Sequence, residues 1–186
     1  RRQRQMCIRD RFGMAWDTIT PYHRGFREFT AAYEAFDFED IHRDALNFLP
    51  STPGLILDVG AGSGRDAGWF ATHGWDVIAA EPANALRDEA KRLHEDARIR
   101  WIDDRLPGMV ATHQLGLAFD LIWLSGVWQH IRPEDRARAM RKLVMLLKPG
   151  GRIMMTLRHG PAPDDRPMWL VNAMEVERLG IDHGLA

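Results

Sequence analysis

Cysteine is almost missing from this chain: there is one, Cys7, in 186 residues. A lone thiol rules out an internal disulfide framework and a cysteine-built zinc cluster, and it suits a reducing compartment, so the expected location is the cytoplasm. Long apolar runs are missing too. Nothing approaches the roughly 18 residues that a membrane span needs, so no membrane partner is expected. Excess charge of either sign is also absent, with 25 Lys and Arg against 26 Asp and Glu, which leaves no broad field to attract nucleic acid. The eight histidines never fall four residues apart or into a ligand-like cluster with Cys or Asp, so no metal is expected. No secretory or lipidation signal is visible. What remains, 45% hydrophobic, is the composition of one globular domain, which at this length buries roughly 70% of the surface its unfolded chain exposes.

What is present is organised around Leu55 to Arg65, Leu-Ile-Leu-Asp-Val-Gly-Ala-Gly-Ser-Gly-Arg. A short apolar burst after Pro53-Gly54 predicts a buried strand, and glycines at 60, 62 and 64 break it into a tight loop before a helix. Alternating glycines admit positive φ and leave no Cβ in the way, so a flat ligand can lie against the main chain. The spacing separates the usual nucleotide loops. A dinucleotide fingerprint starting at Gly60 needs a third glycine where Arg65 stands, and no Gly-Lys-Ser/Thr follows for a phosphate loop. The serine-hydrolase elbow fails as well, because Gly62-Ser63-Gly64 lacks its outer spacing.

With Asp58 two residues ahead of the first glycine, this run resembles motif I of the class I S-adenosylmethionine-dependent methyltransferases. Further stretches extend the resemblance over roughly residues 55–157. Strand two, Trp75 to Ala80, ends on Glu81-Pro82, about 20 residues past the loop, where a carboxylate can accept both hydroxyls of an adenosine ribose. Strand three, Arg98 to Ile102, precedes Asp103-Asp104-Arg105-Leu106-Pro107, the place where the family bonds the adenine amino group. Which of Asp103 and Asp104 does so stays open. Phe119-Asp120-Leu121-Ile122, continuing through Ser125-Gly126 to Val127-Trp128-Gln129-His130-Ile131, resembles motif IV. Lys148-Pro149-Gly150-Gly151 then turns into a fifth strand, Arg152 to Leu157.

The resemblance implies an α/β, Rossmann-like, doubly wound sheet of parallel strands in the order 3-2-1-4-5, with the cofactor at their carboxyl ends. It implies S-adenosylmethionine as cofactor. Gly60, Ala61, Gly62 and Gly64 form the backbone cradle, Glu81 holds the ribose, Asp103 or Asp104 lies near the adenine, Ser125 and Trp128 flank the methionine and adenosine, and Asp58, Ser63 and Pro82 belong to the same cofactor site. The family's antiparallel strands 6 and 7 have no counterpart after Gly180, so either the chain is an incomplete piece, which is the expectation, or the sheet stops at strand five with an open edge.

Residues 1–11, with five arginines, resemble a translated adapter sequence and are expected to stand outside the fold as a non-native or disordered tail; a solvated basic tail is the alternative. Residues 12–54 form the expected N-terminal helical cap and 55–186 the cofactor-binding domain. Aromatic residues around Tyr22, His23 and Tyr33 make either a packing helix or a lid that meets substrate, and Glu39 to Leu49 reads as an amphipathic helix. Helices are also expected at Asp66–His73, Asn84–Glu95, Pro133–Leu147 and Met168–Leu179. Base candidates are His130 and His159, each of which could equally cap or pack; Arg158 either binds an anionic substrate group or pairs with Asp164 or Asp165. The function implied is methyl transfer to a small-molecule acceptor. Alternatives are a non-catalytic S-adenosylmethionine-binding domain and an NAD-dependent oxidoreductase.

Overall fold

The computed structural model describes residues 17–186. The expected tail, Cys7 and residues 12–16 of the expected cap lie outside the described residues. Five parallel strands make one sheet in the order β3-β2-β1-β4-β5: β1 Leu55–Val59, β2 Asp76–Ala80, β3 Ile99–Ile102, β4 Phe119–Ser125 and β5 Leu147–Thr156. Ahead of them run α1 Thr20–Arg24, α2 Phe26–Glu34 and α3 Phe38–Ile41. Between and after them run α4 Arg65–Thr72, α5 Asn84–Leu93, α6 Val110–Gln114, α7 Pro133–Val144 and α8 Ala173–Asp182.

Strand alternation divides the core between the two faces of the sheet. Leu57 and Val59 join Met140, Leu143 and Leu146 on the α7 side, while Ile56 joins Ala67 and Phe70 of α4 and Phe38 on the other. Both faces are covered, which is why β1 and β4 read as near-continuous apolar runs. Order reverses between β1 and β4, and the crevice at their carboxyl ends opens there.

The differences from expectation lie outside the sheet's centre. The helix expected over 39–49 is one short turn, α3, followed by a 3-10 turn at Leu46–Phe48. Its anchors are Phe38, stacked on Trp69 at 4.1 Å, and His42, bonded to Asp66; Ile41, read as apolar face, is exposed. Strand β5 begins five residues early, because Leu147 pairs with Phe119 and a register shift carries the Lys-Pro-Gly-Gly segment until Arg152 meets Leu121. The last helix starts at Ala173, where Asn172 accepts the amide of Met174 at 2.9 Å and so caps it. Residues 168–171 run free of it, held by Trp169 N–H on the Gln129 carbonyl at 2.8 Å and by Arg136 on the Leu170 carbonyl at 2.8 Å. Helix α6 was not expected. Asp104 organises it, accepting the amides of Arg105 (2.9 Å), Val110 (3.1 Å) and Thr112 (2.7 Å) and the Thr112 hydroxyl (2.7 Å).

Candidate functional site

A cavity of about 440 Å³ lies at the carboxyl ends of β2, β1, β4 and β5, under α1 and α2. The glycine loop forms its floor. Gly60 and Gly62 take φ of +69° and +60°, and a Cβ on Gly60 would come within 2.7 Å of Val127. Gly64, the N-cap of α4 at φ +89°, has another reason for being glycine: a Cβ there would meet His94 at 2.8 Å and Trp101 at 2.9 Å. It serves packing and does not line the cavity.

Four of the loop's amides are engaged within the protein. Gly60 and Ala61 N–H donate to the Ala80 carbonyl at 2.7 and 3.1 Å, and Gly64 N–H to Ala61 at 2.9 Å. Gly62 N–H donates to Glu81 Oε2 at 2.9 Å, and Ala83 N–H to Glu81 Oε1 at 2.7 Å. Each Glu81 oxygen thus has one donor and a further lone pair, in a residue that lines the cavity. Burial raises its pKa to about 7 against the two amide bonds. Arg87, buried on α5, fixes this corner by bonding the Glu81 carbonyl and Asn84 Oδ1.

Asp58, at the end of β1, is fully buried, lines the cavity and leaves Oδ2 without a hydrogen-bond partner. Burial, and then the nearby Asp66 and Glu81, push its pKa well above the ordinary value. Asp66 differs because it is partnered: His42 Nε2 lies 3.0 Å and Trp123 Nε1 2.8 Å from Oδ2, and Arg65 reaches Oδ1 at 2.7 Å. Burial opposes ionisation, but these bonds and the guanidinium together hold its pKa low.

On the other side of the cavity Tyr22 and His130 meet, hydroxyl to Nε2 at 2.9 Å. Nδ1 lies 3.3 Å from the Pro167 carbonyl, which only accepts, so Nδ1 carries the proton and the Nε2 lone pair receives the Tyr22 hydroxyl. Burial lowers the His130 pKa to about 4 and raises that of Tyr22. Arg158 and Arg166 complete this end.

The cavity brings together Asp58, Gly60, Ala61, Gly62, Ser63, Glu81, Pro82, Asp104, Ser125, Tyr22, Tyr33, His130 and Arg158 among the sequence-predicted residues. It does not gather five others. Trp128 is completely buried in the α7-side core, because the 3-10 turn after β4 points it inward. Asp103 turns outward, its side chain 68% exposed beside Arg87. Gly64 packs as described. His23 accepts the Ala85 amide at 3.3 Å outside the cavity, and His159 is exposed on the loop after β5. Between the two acids, Asp104 alone borders the cavity, yet all four of its lone-pair sites serve its own loop. Cavity residues without a signal in the sequence include Gln129, Arg166 and Arg65, the last standing where a dinucleotide fingerprint would have its third glycine. No group of three or more His, Cys, Asp or Glu among the described residues is placed to hold a metal, and no described helix is long and apolar enough to cross a membrane.

A family model described as a methyltransferase domain matches residues 56–151, from β1 into β5. Methyltransferase GfsG of Streptomyces halstedii is 31% identical over 102 residues, covering 53% of this chain and 35% of that protein. The chain thus spans about a third of that relative's length. Among solved structures, the glycopeptide N-methyltransferase MtfA complexed with S-adenosyl-L-methionine superposes with TM-score 0.61 at 20% identity, over 80% of this chain and 83% of that one. A TehB-like methyltransferase from Corynebacterium glutamicum gives TM-score 0.58 at 23% identity, over 88% and 80%. The two superpositions establish a shared fold, and the family match runs through the glycine loop, Glu81 and β4: the chain belongs to the methyltransferase domain family.

Proposed function

We propose that this chain binds S-adenosylmethionine and transfers its methyl group to a small-molecule acceptor. The observation that carries this reading is the pair of buried carboxylates, Asp58 and Glu81, on a glycine floor whose Gly60, Ala61 and Gly62 amides are already bonded within the protein. A dinucleotide's pyrophosphate needs free amides at a helix N-terminus. Here it would meet acids. A ligand with ribose hydroxyls to donate and an ammonium group suits both: Glu81 keeps an acceptor site on each oxygen, and Asp58 Oδ2 is a buried acceptor with no donor. Gly60 and Gly62 leave the floor flat, and Val127 and Leu86 supply apolar walls. MtfA, of the same fold, was crystallised with this cofactor.

When bound, the cofactor supplies a methyl group on a sulfonium, transferred in line to the acceptor's nucleophile while the carbon–sulfur electron pair stays on sulfur. The protein's part is alignment in a site shielded from water, and removal of a proton where the nucleophile carries one. Ile19, Tyr22 of α1 and Tyr33 of α2 roof the site; the two helices act as the lid of the cap. His130, neutral and with its tautomer fixed by Pro167, receives the Tyr22 hydroxyl at Nε2, so the Tyr22 oxygen presents its lone pairs to the acceptor's nucleophile and orients it by accepting its hydrogen bond. The single cysteine suits a reducing cytoplasm, where we place the protein.

Calorimetric titration with S-adenosylhomocysteine, with NAD as control, tests the reading. Micromolar binding of the first alone is expected; binding of NAD, or of neither by the folded chain, overturns it.

A further inference from the structure

We propose that the methyl acceptor is an anion, a carboxylate or a phosphate, held by Arg158 and Arg166. This rests on the methyltransferase reading and names the substrate class for the same cavity. The acids lining the cavity are segregated. Asp58, Asp66, Glu81 and Asp104 all stand at or just after β1, β2 and β3, with Arg65, paired to Asp66, and Arg105 among them, whereas the end after β5 holds Arg158 and Arg166 and no lining acid. In the order β2-β1-β4-β5 the outer two of these strands are three spacings apart, about 14 Å. One end therefore suits a cation and hydroxyl donors; the other suits an anion.

Arg166 is the more telling of the two. Its side chain is 19% exposed, and its guanidinium lies over the rings of Phe29 at 4.7 Å and Tyr22 at 5.4 Å. Nη1 donates to Asp165 at 3.1 Å, but Nε is buried with no hydrogen-bond partner. A buried N–H on a cation at a cavity wall is costly to leave unpaired, and a planar guanidinium matches a carboxylate or phosphate bidentately. Arg158, exposed, bonds the Pro161 carbonyl at 2.9 Å and forms no ion pair with a described residue. Both arginines lower the proton affinity of His130, which places their positive field on the Tyr22–His130 pair. A neutral acceptor would leave that field offset only by Asp165, a mostly exposed carboxylate outside the cavity lining. An anionic one cancels it, and Glu81 at the far end repels it from the cofactor's place, fixing its orientation.

The test uses the chain saturated with S-adenosylhomocysteine and three matched probes: 4-hydroxybenzoate, 4-hydroxyphenyl phosphate and the neutral 4-hydroxybenzamide. Each brings a hydroxyl for Tyr22–His130 and a ring for the wall of Ile19, Ile41 and Met168. At least one anionic probe is expected to bind tenfold or more tighter than the amide, and the tighter of the two identifies carboxylate or phosphate as the anion. Arg166→Gln should abolish the preference and Arg158→Gln reduce it, with thermal melting to show that each variant folds. If Arg166→Gln does not fold, the exposed Arg158→Gln carries the test alone. Equal binding of all three probes, binding of none, or a preference unchanged in every folded variant overturns the proposal. S-adenosylhomocysteine binding without anion preference overturns this inference alone, whereas anion preference without S-adenosylhomocysteine binding overturns the methyltransferase reading.

Discussion

The carboxylate of Glu81 accepts the amide of Gly62 at 2.9 Å, so one side chain both shapes the glycine loop and faces the cavity. Replacing it removes two things at once. Glu81→Ala should weaken S-adenosylhomocysteine binding by about 1 to 3 kcal/mol, the range for a charged hydrogen-bond partner. No loss in a folded variant would sink the ribose assignment.

The same residue makes binding depend on pH. Burial raises the Glu81 pKa to about 7 in the free chain, and the ionised form is the better acceptor for ribose hydroxyls. S-Adenosylhomocysteine affinity should therefore rise from pH 6 to pH 8, with a proton released on binding at pH 6. Calorimetry in two buffers of different ionisation enthalpy reads that proton directly; an identical heat in both would show that Glu81 is already ionised.

The two glycines of the cavity floor, Gly60 and Gly62, should not respond alike. Both sit at positive φ, which costs a residue with a Cβ about 1 to 2 kcal/mol. At Gly62 the added carbon makes only ordinary contact with Tyr33 at 3.6 Å, but at Gly60 it meets Val127 at 2.7 Å, adding an overpacking cost of about 1 to 3 kcal/mol. Gly60→Ala should be the more destabilising in urea melts. Pairing it with Val127→Ala should recover the excess but not the backbone strain.

How far the sequence could be read follows from where the information is local. Leu55 to Arg65 carries strand, loop and helix in one run, and Glu81 is tied to it by parallel register, so that part of the site was legible. Asp120 shows the opposite case. In the Phe-Asp-Leu-Ile run it resembles a motif residue, yet it sits at the start of β4, accepting the Leu55 amide and Lys148 Nζ at 2.8 Å each, at the far end of the strand from the cavity. The inward turn of Trp128 is not legible in the sequence, because a 3-10 turn, unlike a strand, has no two-residue period to say which way its side chains point. Arg166 could not be found at all. Its partners, Tyr22 and Phe29, lie well over a hundred residues earlier, and only the folded chain brings them together.

Asp66→Asn should be among the most damaging single changes. The carboxylate is a buried junction for His42, Trp123 and Arg65, joining the helices before β1 to α4. Its loss strands a guanidinium half-buried and leaves His42 short of a partner. Removing one member of a buried charged pair costs about 3 to 5 kcal/mol. Urea denaturation measures it, and a loss under about 1 kcal/mol would mean that water enters and replaces the carboxylate.

His130 gives the clearest pH signature of stability. Burial lowers its pKa to about 4, below the ordinary 6.5. Between those values the unfolded chain binds a proton that the folded chain does not, so the contribution is fully present above pH 6.5 and is lost as pH falls. Glu81 acts in the opposite sense, since its raised pKa makes the folded chain bind the extra proton as pH falls from about 7. The wild-type profile therefore mixes the two, and the comparison with His130→Gln separates them, because Glu81 is common to both chains. The stability gap between wild type and variant should shrink by about 2 kcal/mol from pH 7 to pH 5. A gap that stays constant would mean that His130 titrates in the folded chain as it does in water, and that its Nε2 lone pair is not held for Tyr22.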